Sequence, residues 1–201
     1  MLVTMKEILD RAKKDNYGVT SIMVDRSSLS YEDNIAQTKE TVKICRPLNI
    51  SVEAELGHVG QSEDYSSDGS DHFTKPEEVK KFVEETGIDC LAVAIGTAHG
   101  RYHGTPHIGN LLKQITDVVD IPLVLHGGSG TGDENLRKAV KNGIQKVNLA
   151  TELVVAGKEE LETFIQDKNF DKWQLIPSFI KGYSDRLEHY VKLFDQENRA
   201  W

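Results

Sequence analysis

Cysteine is scarce in this sequence: Cys45 and Cys90 are the two among 201 residues. They lie far apart and form neither a disulfide framework nor a zinc-finger spacing. Cys90 heads the apolar run CLAVAIG and reads as a buried, inert thiol. Long hydrophobic runs are missing as well. None approaches the roughly 20 residues that cross a bilayer, and MLVTMKEILDRAKK at the N-terminus lacks the apolar core of a signal peptide. A reducing, cytoplasmic setting is the expectation. Positive charge is in deficit, with 24 Lys and Arg against 32 Asp and Glu and a net charge of −8. That balance argues against nucleic acid or a membrane surface as partner, since either needs a basic face. It leaves room for a small phosphorylated ligand, which a few backbone N–H groups can hold locally. Low-complexity segments and clear linkers are also lacking, although QSEDYSSDGSDHF (61–73) reads as a polar loop.

What is present is alternation. With 38% hydrophobic and 28% charged residues, the chain has the composition of one globular domain over 1–201. Met5, Ile8, Leu9 and Ala12 predict a first helix over roughly Thr4–Asp15. Five short apolar runs then predict strands: TSIMVD (20–25), NISVEAELG (49–57), CLAVAIG (90–96), IPLVLHG (121–127) and KVNLAT (146–151). Amphipathic helical segments lie between them. PEEVKKFVEETG starts at Pro76 and ends at Gly87, ENLRKAVKNG ends at Gly143, and LLKQITDVV gathers Leu111, Leu112, Ile115, Val118 and Val119 on one face. The tail, 152–201, reads as two more helices, with Leu187, Tyr190, Val191 and Phe194 as an apolar stripe. The pattern is α/β with a parallel sheet of βα units. A closed eight-unit barrel takes about 250 residues, so five units imply an open sheet or an incomplete barrel.

In parallel α/β folds, ligands gather at the C-terminal ends of the strands. Asp25 ends the first strand. Glu53 and Glu55 share one face of the second, and buried carboxylates are seldom unpaired. The third runs into GTAHG with His99. The fourth ends in His126 and the turn Gly127-Gly128-Ser129-Gly130, and the fifth ends in Asn148-Leu149-Ala150-Thr151. The glycine-rich turn opens a helix near Thr131 or Asp133 and is an anion pocket in form. The NLAT turn offers Asn148 and Thr151 beside it. His99 and His126 end neighbouring strands and can share a zinc ion, whose catalytic sites usually take three protein ligands. His103 and His107, in the loop after His99, are further candidates. His58, His72 and His189 read as surface residues.

Four segments carry a family resemblance: SVEAELGHVGQSED, TGIDCLAVAIGTAHGRYHGTP, PLVLHGGSG and GIQKVNLATEL. In that order they resemble the class II metal-dependent ketose-bisphosphate aldolases of the fructose- and tagatose-bisphosphate type, nearly unbroken from about Thr20 to the C-terminal helix. The resemblance implies a TIM barrel, here incomplete, with about five βα units (20–151), an N-terminal helix and strand start (1–19) and C-terminal helices (152–201). It implies a lyase that cleaves a ketose 1,6-bisphosphate reversibly to dihydroxyacetone phosphate and an aldehyde. Zinc would polarise the ketone carbonyl. His99 and His126 match two of three zinc ligands. Gly100, Gly127, Gly128, Ser129, Asn148, Leu149, Ala150 and Thr151 match the dihydroxyacetone phosphate site. Asp25 and Glu55 match positions that in some members hold a second mono- or divalent cation, and Glu63 matches a carboxylate assisting proton transfer. The sheet edges an incomplete barrel would expose, and the C-terminal apolar stripe, make a homo-oligomer the expectation.

One element of the family is missing. Members carry an Asp-His pair on an earlier strand, the Asp as general acid/base and the His as third zinc ligand. The one such dipeptide here, Asp71-His72, falls in the polar loop. The chain reads as though an internal stretch were deleted between Val19 and Thr20, which also accounts for five units. Impaired catalysis is the expectation, a non-catalytic phosphosugar-binding relic or truncated gene product the alternative.

Overall fold

Each apolar run expected as a strand becomes one, trimmed where polar or glycine residues begin. A computed structural model describes Glu7 and residues 18–59, 73–97 and 108–199. The strands are β1 (Ser21–Val24), β2 (Ser51–Leu56), β3 (Cys90–Val93), β4 (Leu123–Leu125) and β5 (Ile144–Val147). β5 starts two residues ahead of the expected KVNLAT, so Lys146 lies inside it. The helices are α1 (Tyr31–Cys45), α2 (Pro76–Thr86), α3 (Asn110–Thr116), α4 (Asp133–Lys141), α5 (Thr151–Phe164) and α6 (Leu175–Leu193). The helix expected over Thr4–Asp15 lies, Glu7 apart, outside the described residues.

Local chemistry sets these boundaries. Ser30 caps α1 by accepting the Asp33 N–H, with Glu32 and Asp33 in the positive first turn. Pro76 opens α2, and Gly87, at φ 69°, closes it in the left-handed conformation that glycine adopts without strain. LLKQITDVV is helical only to Thr116, and Asp117 caps it.

All five strands are parallel, and their spatial order is their sequence order. Consecutive βα units placed side by side wind a sheet in one direction, as in a (β/α)8 barrel, whereas a doubly wound sheet reverses order at its middle. Five such units make an arc of that barrel. On β2 the two faces part cleanly. Val52, Ala54 and Leu56 join the buried apolar cluster with Leu91, Val93, Leu123, Leu125 and helix residues such as Phe82 and Leu112. Glu53 and Glu55 lie on the opposite, concave face, yet are 2% and 1% exposed. α5 and α6 close the chain as a tight pair. A Cβ on Gly182 would stand 2.4 Å from the Ala156 carbonyl oxygen, and one on Gly157 would stand 2.8 Å from that of Phe179.

Candidate active site

The concave face gathers its polar groups at the C-terminal ends of the strands. β4 delivers His126, 4% exposed, one residue past its last hydrogen-bonded position. Both imidazole nitrogens meet carboxylates from β2: Nε2 lies 3.0 Å from Glu53 Oε1, and Nδ1 lies 3.2 Å from Glu55 Oε2. The Thr97 hydroxyl donates to the His126 carbonyl at 2.6 Å and fixes the backbone that carries the ring.

Neither carboxylate depends on the histidine alone. Glu53 Oε2 accepts from Lys146 Nζ of β5 at 2.6 Å, and the Cys90 thiol stands 3.7 Å away. Glu55 Oε1 accepts from the Ser27 hydroxyl at 3.1 Å and the Val59 N–H at 3.0 Å. Ser27 also lies 2.9 Å from His58 Nδ1, and its N–H donates to Asp25 at 2.9 Å. Every carboxylate oxygen of the buried pair therefore has a partner, which offsets the desolvation that makes unpaired buried charge so costly.

The electrostatics follow from these contacts. Burial opposes charge on His126, but the hydrogen bonds and charges of Glu53 and Glu55 win, and its pKa is pushed up to about 9. Burial alone would raise the Glu53 carboxyl. The hydrogen bonds from His126 and Lys146 outweigh it and hold the group below the usual carboxylate range. Burial, then the negative charge of Glu53, raises the Cys90 thiol to about 11. Cys90 is half-buried, which corrects the reading of a buried thiol.

Next to His126 the turns after β4 and β5 press together. The Gly128 N–H donates to the Asn148 carbonyl at 3.1 Å, and a Cβ on Gly128 would stand 2.9 Å from the same oxygen. No larger residue allows this approach without moving the backbone. Ser129 Oγ accepts from the N–H groups of Ala150 and Glu152, both at 3.3 Å, at the start of α5. Gly130 N–H donates to the Glu152 carboxylate at 3.0 Å. Backbone donors at a helix start thus point at one spot between two βα turns, the arrangement that receives phosphate in many barrels.

The structure brings together Asp25, Glu55, His126, Gly127, Gly128, Ser129, Asn148, Leu149, Ala150 and Thr151 at one end of the sheet. His99, Gly100, Glu63, His72, His103 and His107 lie outside the described residues. His58 corrects the surface reading, being half-buried against Ser27, whereas the His189 side chain is 41% exposed, with Nε2 2.9 Å from an Asp133 carboxylate oxygen. Sequence reasoning also passed over Lys146, Ser27 and Glu152. A signal for Lys146 existed, because residues two apart on a strand share a face, and Asn148 follows Lys146 at that interval.

A donor set of one imidazole with carboxylates on both ring nitrogens suits zinc. A metal takes one nitrogen while a carboxylate on the other fixes the ring. Among the described residues no three His, Cys, Asp or Glu side chains converge as a complete metal-binding group. The described residues thus offer the chemistry of one ligand and its supports, not of a complete site.

An arc of parallel βα units with its polar groups at the C-terminal face belongs to the (β/α)8-barrel class. A family model described as fructose-bisphosphate aldolase class-II matches residues 3–199. The protein YdjI of Escherichia coli K12 is 41% identical over 190 residues, which cover 92% of this chain and 66% of YdjI. The crystal structure of the YdjI aldolase superposes with a TM-score of 0.79 at 36% identity, over 99% of this chain and 68% of that one. The Campylobacter jejuni fructose-bisphosphate aldolase shares the fold, with a TM-score of 0.71 at 23% identity over 94% of this chain and 65% of its own. The chain belongs to the class II fructose-bisphosphate aldolase family. It spans about two thirds of the length of these relatives.

Proposed function

We propose that this chain is an aldolase-type lyase that cleaves a ketose 1,6-bisphosphate reversibly into dihydroxyacetone phosphate and an aldehyde. The observation that carries the reading is a buried strand-end histidine flanked by two carboxylates and adjoining a pair of braced βα turns. In this reading His99 and His126 hold zinc, which supplies Lewis-acid polarisation of the ketone carbonyl. The backbone and side chains of Gly100, Gly127 to Ser129 and Asn148 to Thr151 bind dihydroxyacetone phosphate, its phosphate replacing the Ser129 hydroxyl as acceptor for the α5 N–H groups. Asp25 and Glu55 form a second cation position, and Glu63 assists proton transfer. The working enzyme is a cytoplasmic homo-oligomer.

Turnover is reduced in this proposal, because the family's Asp-His pair has no counterpart in the strand context where it acts. Loss of a general acid/base removes about 10²–10⁴-fold in rate. The chain covers 66% of YdjI, in keeping with five βα units where a closed barrel has eight; in this proposal the missing stretch falls between Val19 and Thr20. A phosphosugar-binding relic is the second reading, favoured by that same missing pair.

A coupled assay for dihydroxyacetone phosphate release from fructose- and tagatose-1,6-bisphosphate, with zinc added or chelated, tests the proposal. Slow, zinc-dependent release is the expected result. Thermal stabilisation by dihydroxyacetone phosphate without turnover supports the relic. Neither turnover nor stabilisation would overturn both, and family-like rates would overturn the impairment.

A further inference from the structure

We infer that Lys146 is a positioning residue for the metal ligand His126, acting through Glu53. This rests on the zinc reading above.

The contact is unusual for where it comes from. Lys146 sits on β5, the last strand of the sheet, and 53% of its side chain is exposed. A lysine at such an edge ordinarily extends into water. Here its head group turns inward to Glu53 on β2, with β3 and β4 lying between the two strands. In a flat sheet, strands three places apart are roughly 14 Å apart, at about 4.8 Å per strand. The 2.6 Å bond therefore forms a chord across the concave face of the arc, and 93 residues of sequence separate its ends.

The two oxygens of Glu53 divide their work. Oε2 takes Lys146, and Oε1 takes His126 Nε2. Lys146 on one oxygen fixes the carboxylate so that the other faces Nε2, and the ring is turned with Nε2 toward Glu53. Nδ1 is then the nitrogen that would turn to a cation, giving up its own proton as the cation binds. Glu55, which faces Nδ1, is held otherwise by the neutral donors Ser27 and Val59. It is the carboxylate free to turn aside or join a cation. Lys146 thus selects which ring nitrogen ligates, without touching metal or substrate.

The test uses the 201-residue chain with zinc as the probe. Zinc affinity is measured by titration calorimetry, and long-range proton–nitrogen correlation spectra of the zinc-loaded protein report the His126 tautomer. Lys146→Met should weaken zinc binding about 10-fold or more, in the range that removing a ligand's outer support costs. It should also turn a single Nε2–H tautomer into a mixture. Lys146→Arg should restore both readouts. Glu53→Gln provides a second route should Lys146→Met not fold, and the double variant should bind zinc no more weakly than the weaker single one.

Affinity within twofold of the unsubstituted chain in Lys146→Met overturns the inference. So does weakened binding with an unchanged tautomer, or an equal loss in Lys146→Arg. If the unsubstituted chain takes up no zinc, the zinc reading itself falls, and this inference falls with it.

Discussion

The two ends of the chain's fold handle burial in opposite ways. At the C-terminal edge of the sheet, two carboxylates and an imidazole are almost fully enclosed, each with named partners. In the α5–α6 region, Trp173, Ile176, Ile180 and Val154 are 77%, 72%, 54% and 51% exposed. Folding free energy favours the reverse on both counts. A buried ionic cluster is weak evidence for stability, because hydrophobic replacement is often neutral or stabilising. Its presence points to chemistry. Exposed large apolar side chains grouped on one helix pair point to a surface meant to be covered.

The sharpest way to break the comparison is to remove the acceptor at the centre of the cluster. Glu53→Ala leaves His126 without its Nε2 partner and Lys146 without its anchor. Breaking a buried ion pair costs about 3–5 kcal/mol. Lys146 can turn to solvent, so about 3 kcal/mol, the lower end, is the expectation. Urea unfolding monitored by circular dichroism should show a lowered midpoint with little change in slope. A change within 0.5 kcal/mol, roughly that of an ordinary surface substitution, would mean that the cluster is not held as the contacts describe.

Gly182→Ala tests the other region by the same measurement. The added methyl would stand 2.4 Å from the Ala156 carbonyl oxygen, and backbone cannot move as a flexible side chain can. Forcing the α5–α6 pair apart should cost about 1–3 kcal/mol. Gly128→Ala imposes a milder conflict, at 2.9 Å from the Asn148 carbonyl oxygen, but between the two turns of the site. Its expected signature is a smaller loss of stability than in Gly182→Ala together with weakened dihydroxyacetone phosphate binding, read as a reduced thermal shift. Normal ligand stabilisation in Gly128→Ala would separate the turn contact from phosphate binding.

The sequence carried the architecture and one half of the site. Apolar runs and helix punctuation at Pro76 and Gly87 located the βα units, because these signals are local. The alternation around Glu53 and Glu55 exposed their shared face for the same reason. The network was less legible, since its partners come from distant strands. Lys146 reaches Glu53 across 93 residues, and Ser27 meets His58 only because β1 and β2 pair with Val24 opposite Ala54. His58 reads as a surface residue for want of that register. β5 shows a related failure: Gln145 and Lys146 are exposed at the sheet edge, so no apolar run marks where the strand begins.

The smallest expected effect on stability carries the largest lesson about assembly. Ile176 lies on α6 at 72% exposure, with Trp173 in the turn before it and Ile180 one turn on, whereas the residues that α6 buries are Gly182, Tyr190 and Leu193. Replacing it by glutamate should leave the unfolding midpoint nearly unchanged, within about 0.5 kcal/mol. The same substitution places a charge in the centre of the apolar patch, where desolvating it on association is costly. Light scattering coupled to size exclusion should therefore show a larger species for the unsubstituted chain and a shift toward monomer for Ile176→Glu. If both run as monomers, the patch is not an interface between copies. If Ile176→Glu unfolds the protein, the side chain is part of the fold, and the contrast between the two regions loses its second half.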